Sequence, residues 1–341
     1  MRVHVASKGV VSALGLTADE HFAGLLEGRS ALSGSPVAGR IDRERARAEL
    51  ARRAPELARA AERFEQVLLG LALAEAGAPR GTLAVVGTTK GLLEPFLLEA
   101  GFVPLVVSQA CASSTQAIAL GAALIEAGEV ARIVVGGAEA LSPFIEEGFA
   151  SLSAIDPRGS RPFDATRLGL SLGEGAAILV LERGAGSGPH VVGTGTGSDA
   201  FSSTSPDPEG RGLERALRGA LGGCEEAPGF VCAHGTGTEK NDAAEMAGLE
   251  RVVPGARVFS IKGKVGHTLG AAGALDAATA LLALEKGAIP GTAREPISPA
   301  VTKGREDTEA RAALSANAGF GGLCAALAFR LSPPREAGGA K

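Results

Sequence analysis

The feature that most limits the fold is an alternation. Short apolar runs rich in Val, Ile, Leu and Ala are each followed by a stretch with helical spacing, along most of the chain. Runs that are apolar at consecutive positions belong to strands covered on both faces, so the pattern predicts an α/β protein with mostly buried sheets. Candidate strands fall at 2–6, 83–87, 103–109, 132–136, 176–182, 190–195, 229–233, 257–260, 312–316 and 324–330. A capping box, Thr17 with Glu20, opens a first helix that ends near Gly28. Residues 42–76 predict one or two amphipathic helices whose Arg and Glu form a solvated face. With 341 residues, 45% of them hydrophobic, the chain can bury one large core or two fused ones.

The Gly-rich segment ERGAGSG at 183–189 separates two parts of similar makeup. It suggests halves at 1–185 and 186–332, followed by a disordered tail at 333–341. The halves rhyme. Cys111 precedes an Ala-rich helical stretch ending near Gly128, and His267 precedes another, GAAGALDAATALLALEKG, ending near Gly287. A pseudo-twofold relation would bring both helix N-termini to one central site.

Several function classes are excluded by what is missing. A net charge of -4 leaves no basic footprint for nucleic acid, and no apolar run approaches the roughly 20 residues of a membrane span. The N-terminus begins directly with strand-like residues, so no secretory signal is expected and the chain reads as cytoplasmic. The four cysteines, 111, 224, 232 and 324, form no CxxC pair, and with five histidines they give no zinc spacing. Neither metal nor disulfide is expected. GTGTG at 193–197 is followed by a Ser/Pro-rich stretch where a dinucleotide loop needs a helix, and GTTKG at 87–91 lacks the phosphate-loop spacing.

Chemistry concentrates in three segments: ACASS around Cys111, AHGTGTEKNDAAE at 233–245 and SIKGKVGHTLGAAGALD at 260–276. Cys111 stands where an apolar strand gives way to a helix, and a helix N-terminus is expected to lower a thiol pKa. The ordinary alternative is a small buried hydrophobe. His234 follows the apolar run Phe230, Val231, Cys232, and His267 follows a Gly-flanked turn. Two imidazoles beside one thiol suit carbanion chemistry: they can donate hydrogen bonds to a thioester carbonyl as it becomes an enolate, while the sulfur holds another acyl group.

These segments resemble the β-ketoacyl-acyl carrier protein synthases of the Cys-His-His type, closest to the KAS II group. RPFDATRLGLSLGEGAAILVLE at 161–182, GSDAFSSTSPDPEGRG at 197–212 and NAGFGG at 317–322 add to the likeness, in the family's order. The resemblance implies a thiolase-like fold, a five-layered α-β-α-β-α arrangement of two pseudo-duplicated halves, and a homodimer. It implies that Cys111 takes the acyl chain from acyl carrier protein. His234 and His267 would promote loss of CO2 from malonyl-carrier protein, and Lys262, paired with Asp276, would set the site's electrostatics. Thr236 and Thr238 would bind the pantetheine arm, and Asp242 and Glu245 would support the site from behind. The backbone N–H groups of Cys111 and Ala318 would form the oxyanion hole. No cofactor is implied beyond the phosphopantetheine that the carrier protein brings.

The sequence departs from the family in two places. Ala318 stands where an aromatic gate usually precedes GFGG. Only about twenty residues separate GTTKG from Cys111, where the family carries several tens more. A non-condensing partner or scaffold subunit, or a thioester decarboxylase, is therefore the alternative to a condensing enzyme. Cys324, in an apolar run after GFGG, reads as a buried strand residue and not as a second catalytic cysteine.

Overall fold

The structure, a computed structural model, describes residues 3–184 and 186–332. The expected tail at 333–341 lies outside them. The first half runs β1 (Val3–Ser12), α1 (Ala18–Leu26), α2 (Arg43–Arg53), α3 (Pro55–Ala60), α4 (Phe64–Ala76), β2 (Leu83–Gly87) and α5 (Glu94–Glu99). It continues with β3 (Val103–Val107), α6 (Ser113–Ala127), β4 (Arg132–Glu139), α7 (Pro143–Ser151) and β5 (Gly175–Arg183). The second half runs β6 (Pro189–Ser198), α8 (Arg211–Leu221), β7 (Phe230–Cys232), α9 (Glu239–Val252) and β8 (Arg257–Phe259). It closes with α10 (Lys262–Val265), α11 (Ala272–Lys286), β9 (Ala312–Gly319) and β10 (Leu323–Leu331).

These ten strands form one sheet in the order β8-β7-β9-β10-β6-β1-β5-β4-β2-β3. The order reads the same from both ends once each strand is matched with the one five later. Strand direction obeys the same symmetry: β2 is parallel to β3 and β4, and β7 is parallel to β8 and β9. The halves meet where β1 pairs with β6 through only two residue pairs, Val3 with Val191 and His4 with His190.

Side-chain alternation along the strands builds the layers. Val85, Ile133, Val135, Leu179, Phe230 and Leu327 point into a central core that also holds Ile118 of α6 and Leu281 of α11. The intervening residues Ala84, Val86, Val134 and Ile178 pack outward on α4, and Val231, Leu314 and Ala326 pack outward on α8 and α9. Helices outside, two half-sheets and a central pair of helices make the five layers of a thiolase-like fold. The stretch Ala110–Ala127 is long and apolar enough to be weighed as a membrane span, but most of it is buried as the core helix α6.

Three local expectations need correction. β1 was expected to stop at residue 6 and instead runs to Ser12, because Ser7 and Lys8 find partners: Ser7 donates to the Ala76 carbonyl at 2.6 Å and Lys8 pairs with Glu285. Residues 42–76 form three helices, and α4 is buried nearly all round rather than amphipathic, because it lies between the half-sheet and α2. At α1, Thr17 accepts from the Glu20 amide, but the Glu20 carboxylate accepts from Leu16 instead of closing the box.

Candidate active site

Cys111 sits in a tight turn between β3 and α6. Ala110 before it adopts a left-handed φ of 48°, and Ser113 clasps the turn by accepting from the Gln109 amide and donating to the Ala110 carbonyl. A non-Gly residue held there stores strain that the surrounding packing must hold. The start of α6 lies so close to β2 that a Cβ on Gly87 would overlap the Ser114 amide. The cysteine is therefore fixed by its backbone.

His267 reaches the same point from the other half. Its amide donates to Ser171 at 2.7 Å and its carbonyl accepts from Gly173 at 2.9 Å, which pins the turn between α10 and α11. Its Nε2 lies 3.0 Å from Cys111 Sγ, across 156 residues of sequence. His234 stands beside it, ring centroids 5.1 Å apart and nearly perpendicular. The turn after β7 is held by α9. Glu245 accepts from the His234 and Gly235 amides, both at 2.7 Å, and Asp242 accepts from Thr236 at 3.0 Å, Gly237 at 3.2 Å and Phe163 at 2.6 Å.

Lys262 and Asp276 form a buried ion pair at 2.6 Å. The same carboxylate oxygen, Asp276 Oδ2, accepts from Asn317 Nδ2 at 2.7 Å. That bond orients the Asn317 amide, since only its nitrogen can donate to a carboxylate, and Thr115 Oγ1 completes the fit by donating to Asn317 Oδ1 at 2.8 Å. The remaining Nδ2 hydrogen faces His234 Nδ1 at 3.3 Å. An amide nitrogen cannot accept, so His234 Nδ1 carries the lone pair and Nε2 the proton. His267 differs: its Nδ1 is buried without a hydrogen-bond partner among the described residues, so neither tautomer is imposed. Asn317 was missed as a residue in its own right, because nothing in NAGFGG shows that its side chain crosses to the other motifs.

The electrostatics correct one expectation. The helix start does not leave Cys111 with a low pKa: burial pushes the thiol up to about 12 and Glu139 adds to the rise, outweighing the lowering by Lys262 and by a backbone hydrogen bond. Water is the main stabiliser of a thiolate, and Cys111 is 7% exposed. Burial also drives His234 and His267 well below the usual histidine range, helped by the Lys262 cation. The resting pair is a neutral thiol against a neutral imidazole. Glu245 is pushed up to about 8 by burial, against the two amides it accepts.

A cavity of about 410 Å³ leads to this point, lined by Cys111, His234, His267, Thr236, Thr238 and Ala318 among others. The two threonine hydroxyls are 3.1 Å apart. Ala318 pairs with Cys324 in the β9–β10 ladder, and a Cβ on the next residue, Gly319, would stand 3.3 Å from the Cys111 amide. Phe320 stacks on Phe149 with centroids 5.8 Å apart at the mouth, so an aromatic pair is present although position 318 is Ala. Cys324 is buried in β10, as expected. All the sequence-selected residues thus converge, Asp242 and Glu245 from behind the turn.

Residues 103–186 match the β-ketoacyl synthase N-terminal domain and residues 190–294 the β-ketoacyl synthase C-terminal domain. This chain belongs to the β-ketoacyl synthase family. Within that family it is 36% identical over 263 residues to the tetracenomycin polyketide synthase ketoacyl synthase alpha subunit of Streptomyces glaucescens, covering 68% of this chain and 60% of the relative. It is 34% identical over 248 residues to 3-oxoacyl-[acyl-carrier-protein] synthase 2 of Synechocystis sp., covering 65% and 60%. The matches thus span about 60% of the length of these curated relatives. Among solved structures, a β-ketoacyl synthase from Burkholderia phymatum superposes with a TM-score of 0.82 at 28% identity, over 97% of this chain and 100% of that one. The ishigamide ketosynthase/chain length factor superposes at 0.80 and 30% identity, over 97% and 99%.

Proposed function

We propose that the chain is a condensing enzyme that joins an acyl group held on Cys111 to malonyl-acyl carrier protein, giving 3-ketoacyl-carrier protein for fatty acid or polyketide synthesis. The observation that carries this is the contact of His267 Nε2 with Cys111 Sγ at 3.0 Å, backed by a second imidazole and a buried Lys–Asp pair.

In the first step Cys111 Sγ attacks the acyl carbon, and the bond to the pantetheine sulfur breaks. The thiol proton passes through His267 Nε2 to the leaving thiol, and this is why a thiol with a high resting pKa can react. In the second step the bond between the malonyl methylene and its carboxylate breaks, CO2 leaves, and the electron pair becomes an enolate. His234, with its proton fixed on Nε2, donates to the enolate oxygen; His267, free to change tautomer, joins it. The enolate carbon then attacks the acyl carbon, the backbone N–H groups of Cys111 and Ala318 hold the oxyanion, and Cys111 departs as thiolate to be reprotonated. Thr236 and Thr238 hold the pantetheine arm, Lys262 and Asp276 set the local charge, and Asp242 and Glu245 hold the turn.

A second copy of the chain is the expected partner. β3 is the edge of the sheet and exposes Val103 and Leu105, and an apolar edge of that kind favours pairing with another strand. Intact-mass spectrometry with acyl-carrier protein tests the reading. An acyl adduct on wild type and none on Cys111→Ala, chased into 3-ketoacyl product by malonyl-carrier protein, supports it. Absence of adduct with every acyl length favours the scaffold-subunit alternative.

A further inference from the structure

A second cavity, of about 800 Å³, opens on the far side of the cysteine and shares Cys111, Phe149, Leu152 and Phe320 with the first. Next to the thiol it is apolar: Leu141, Leu269, Ile145 and Phe149 pack in one cluster with Cys111. The rest of its wall is not. Glu65, Lys90, Thr89, Ser108 and Ser142 line it, with Arg63 exposed beside them.

Two of those groups are already committed. Lys90 faces Glu139 and donates to the Ala140 carbonyl, and Thr89 donates to Glu139 at 2.8 Å. Glu65 is not committed, and neither are the hydroxyls of Ser108 and Ser142. Glu65 is 6% exposed, lines the cavity, and has no hydrogen bond or ion pair among the described residues. A carboxylate so placed must be hydrated or given a donor, and an alkyl chain laid against it would strip the water and return nothing.

Resting on the thioester reading above, the geometry points to an acyl substrate that carries hydroxyl groups beyond its first carbons, not a plain saturated chain. The apolar collar beside Cys111 takes the first carbons, and a distal hydroxyl donates to Glu65 while the Ser108 and Ser142 hydroxyls complete its shell. Recognition of this kind discriminates, because the wrong substrate displaces water from the carboxylate and gives it no donor in return.

The test compares acylation of Cys111 by ω-hydroxyacyl-carrier protein and saturated acyl-carrier protein of matched carbon number, across a length series. Acetyl-carrier protein, too short to reach Glu65, is the control. We expect the best hydroxyacyl chain to react at least about tenfold faster than its saturated match in wild type. In Glu65→Leu the preference should vanish or invert while the acetyl rate is unchanged; Glu65→Gln, which still accepts a hydrogen bond, should keep part of it. Equal rates for matched chains in wild type, or a preference that survives in Glu65→Leu, would overturn the inference and leave the condensing reading intact. Failure of every thioester, acetyl included, would overturn both.

Discussion

The two halves of the sheet are built alike and used differently. Register pairs Gly87 with Gly137 in the first half and Cys232 with Ser315 in the second. Two residues further along each strand come Thr89 and Glu139 in one half, His234 and Asn317 in the other, and both pairs are hydrogen bonded. One frame position is thus a structural tie in the first half and an oriented imidazole in the second. The central helices repeat the lesson. α6 and α11 both have 15 residues and end in left-handed glycines, Gly128 and Gly287. Counting the same distance back from each glycine, Cys111 in the first half corresponds to Gly270 in the second, whose amide donates to Glu139 at 3.3 Å. Duplication supplies a frame that aims two helix starts at one point. The thiol then comes from one half, and the imidazoles and the Lys–Asp pair from the other.

The largest effect that would break this division is chemical. His234→Ala should lower condensation by about a thousandfold while Cys111 still accepts an acyl group, since an oriented donor to developing charge is worth about that much; a matching loss of acylation would put His234 in the first half's task. Asp276→Ala leaves Lys262 buried without its partner and should cost about 3–5 kcal/mol in urea unfolding. Thr89→Val, at the counterpart tie, should cost about 1 kcal/mol and leave the chemistry alone.

Asn317→Ala sharpens the comparison. Nitrogen-15 NMR of His234 should change from one tautomer to a mixture, with product formation falling about tenfold, whereas Glu139→Gln should leave that spectrum untouched. The pH dependence separates a thiol from an ion pair. With its pKa raised to about 12, Cys111 is protonated below that value, so its alkylation by iodoacetamide should climb about tenfold per pH unit from about pH 7 to 9 with no plateau. A plateau near neutrality would show a stabilised thiolate. The smallest effect is expected from Thr238→Val, a several-fold rise in KM for carrier-bound substrate with kcat nearly kept.

Much of this was legible before the structure. The ten strands of the large sheet each overlap a continuous apolar run that predicts them, because burial on both faces leaves a clear mark, although β1 runs on to Ser12 and the two-residue strands outside that sheet leave no such mark. Cys111 is legible because it stands where an apolar strand gives way to a helix, and His234, His267 and Lys262 because each lies in a short motif punctuated by glycines. What escaped depends on packing between distant segments. Asn317 gains its role only through Asp276 and His234, 41 and 83 residues away. Glu65 looked like one more charge on a solvated helix, and only the burial of α4 shows it facing a cavity. The Cys111 thiol was misjudged because a helix N-terminus is visible in sequence and desolvation is not.

The most direct test of the division between halves is decarboxylation without the nucleophile. Cys111→Ala, given malonyl-carrier protein alone, should still release CO2 and leave acetyl-carrier protein, because the imidazoles and the Lys262–Asp276 pair come from the other half. A variant that is folded and binds malonyl-carrier protein but releases no CO2 would contradict the account.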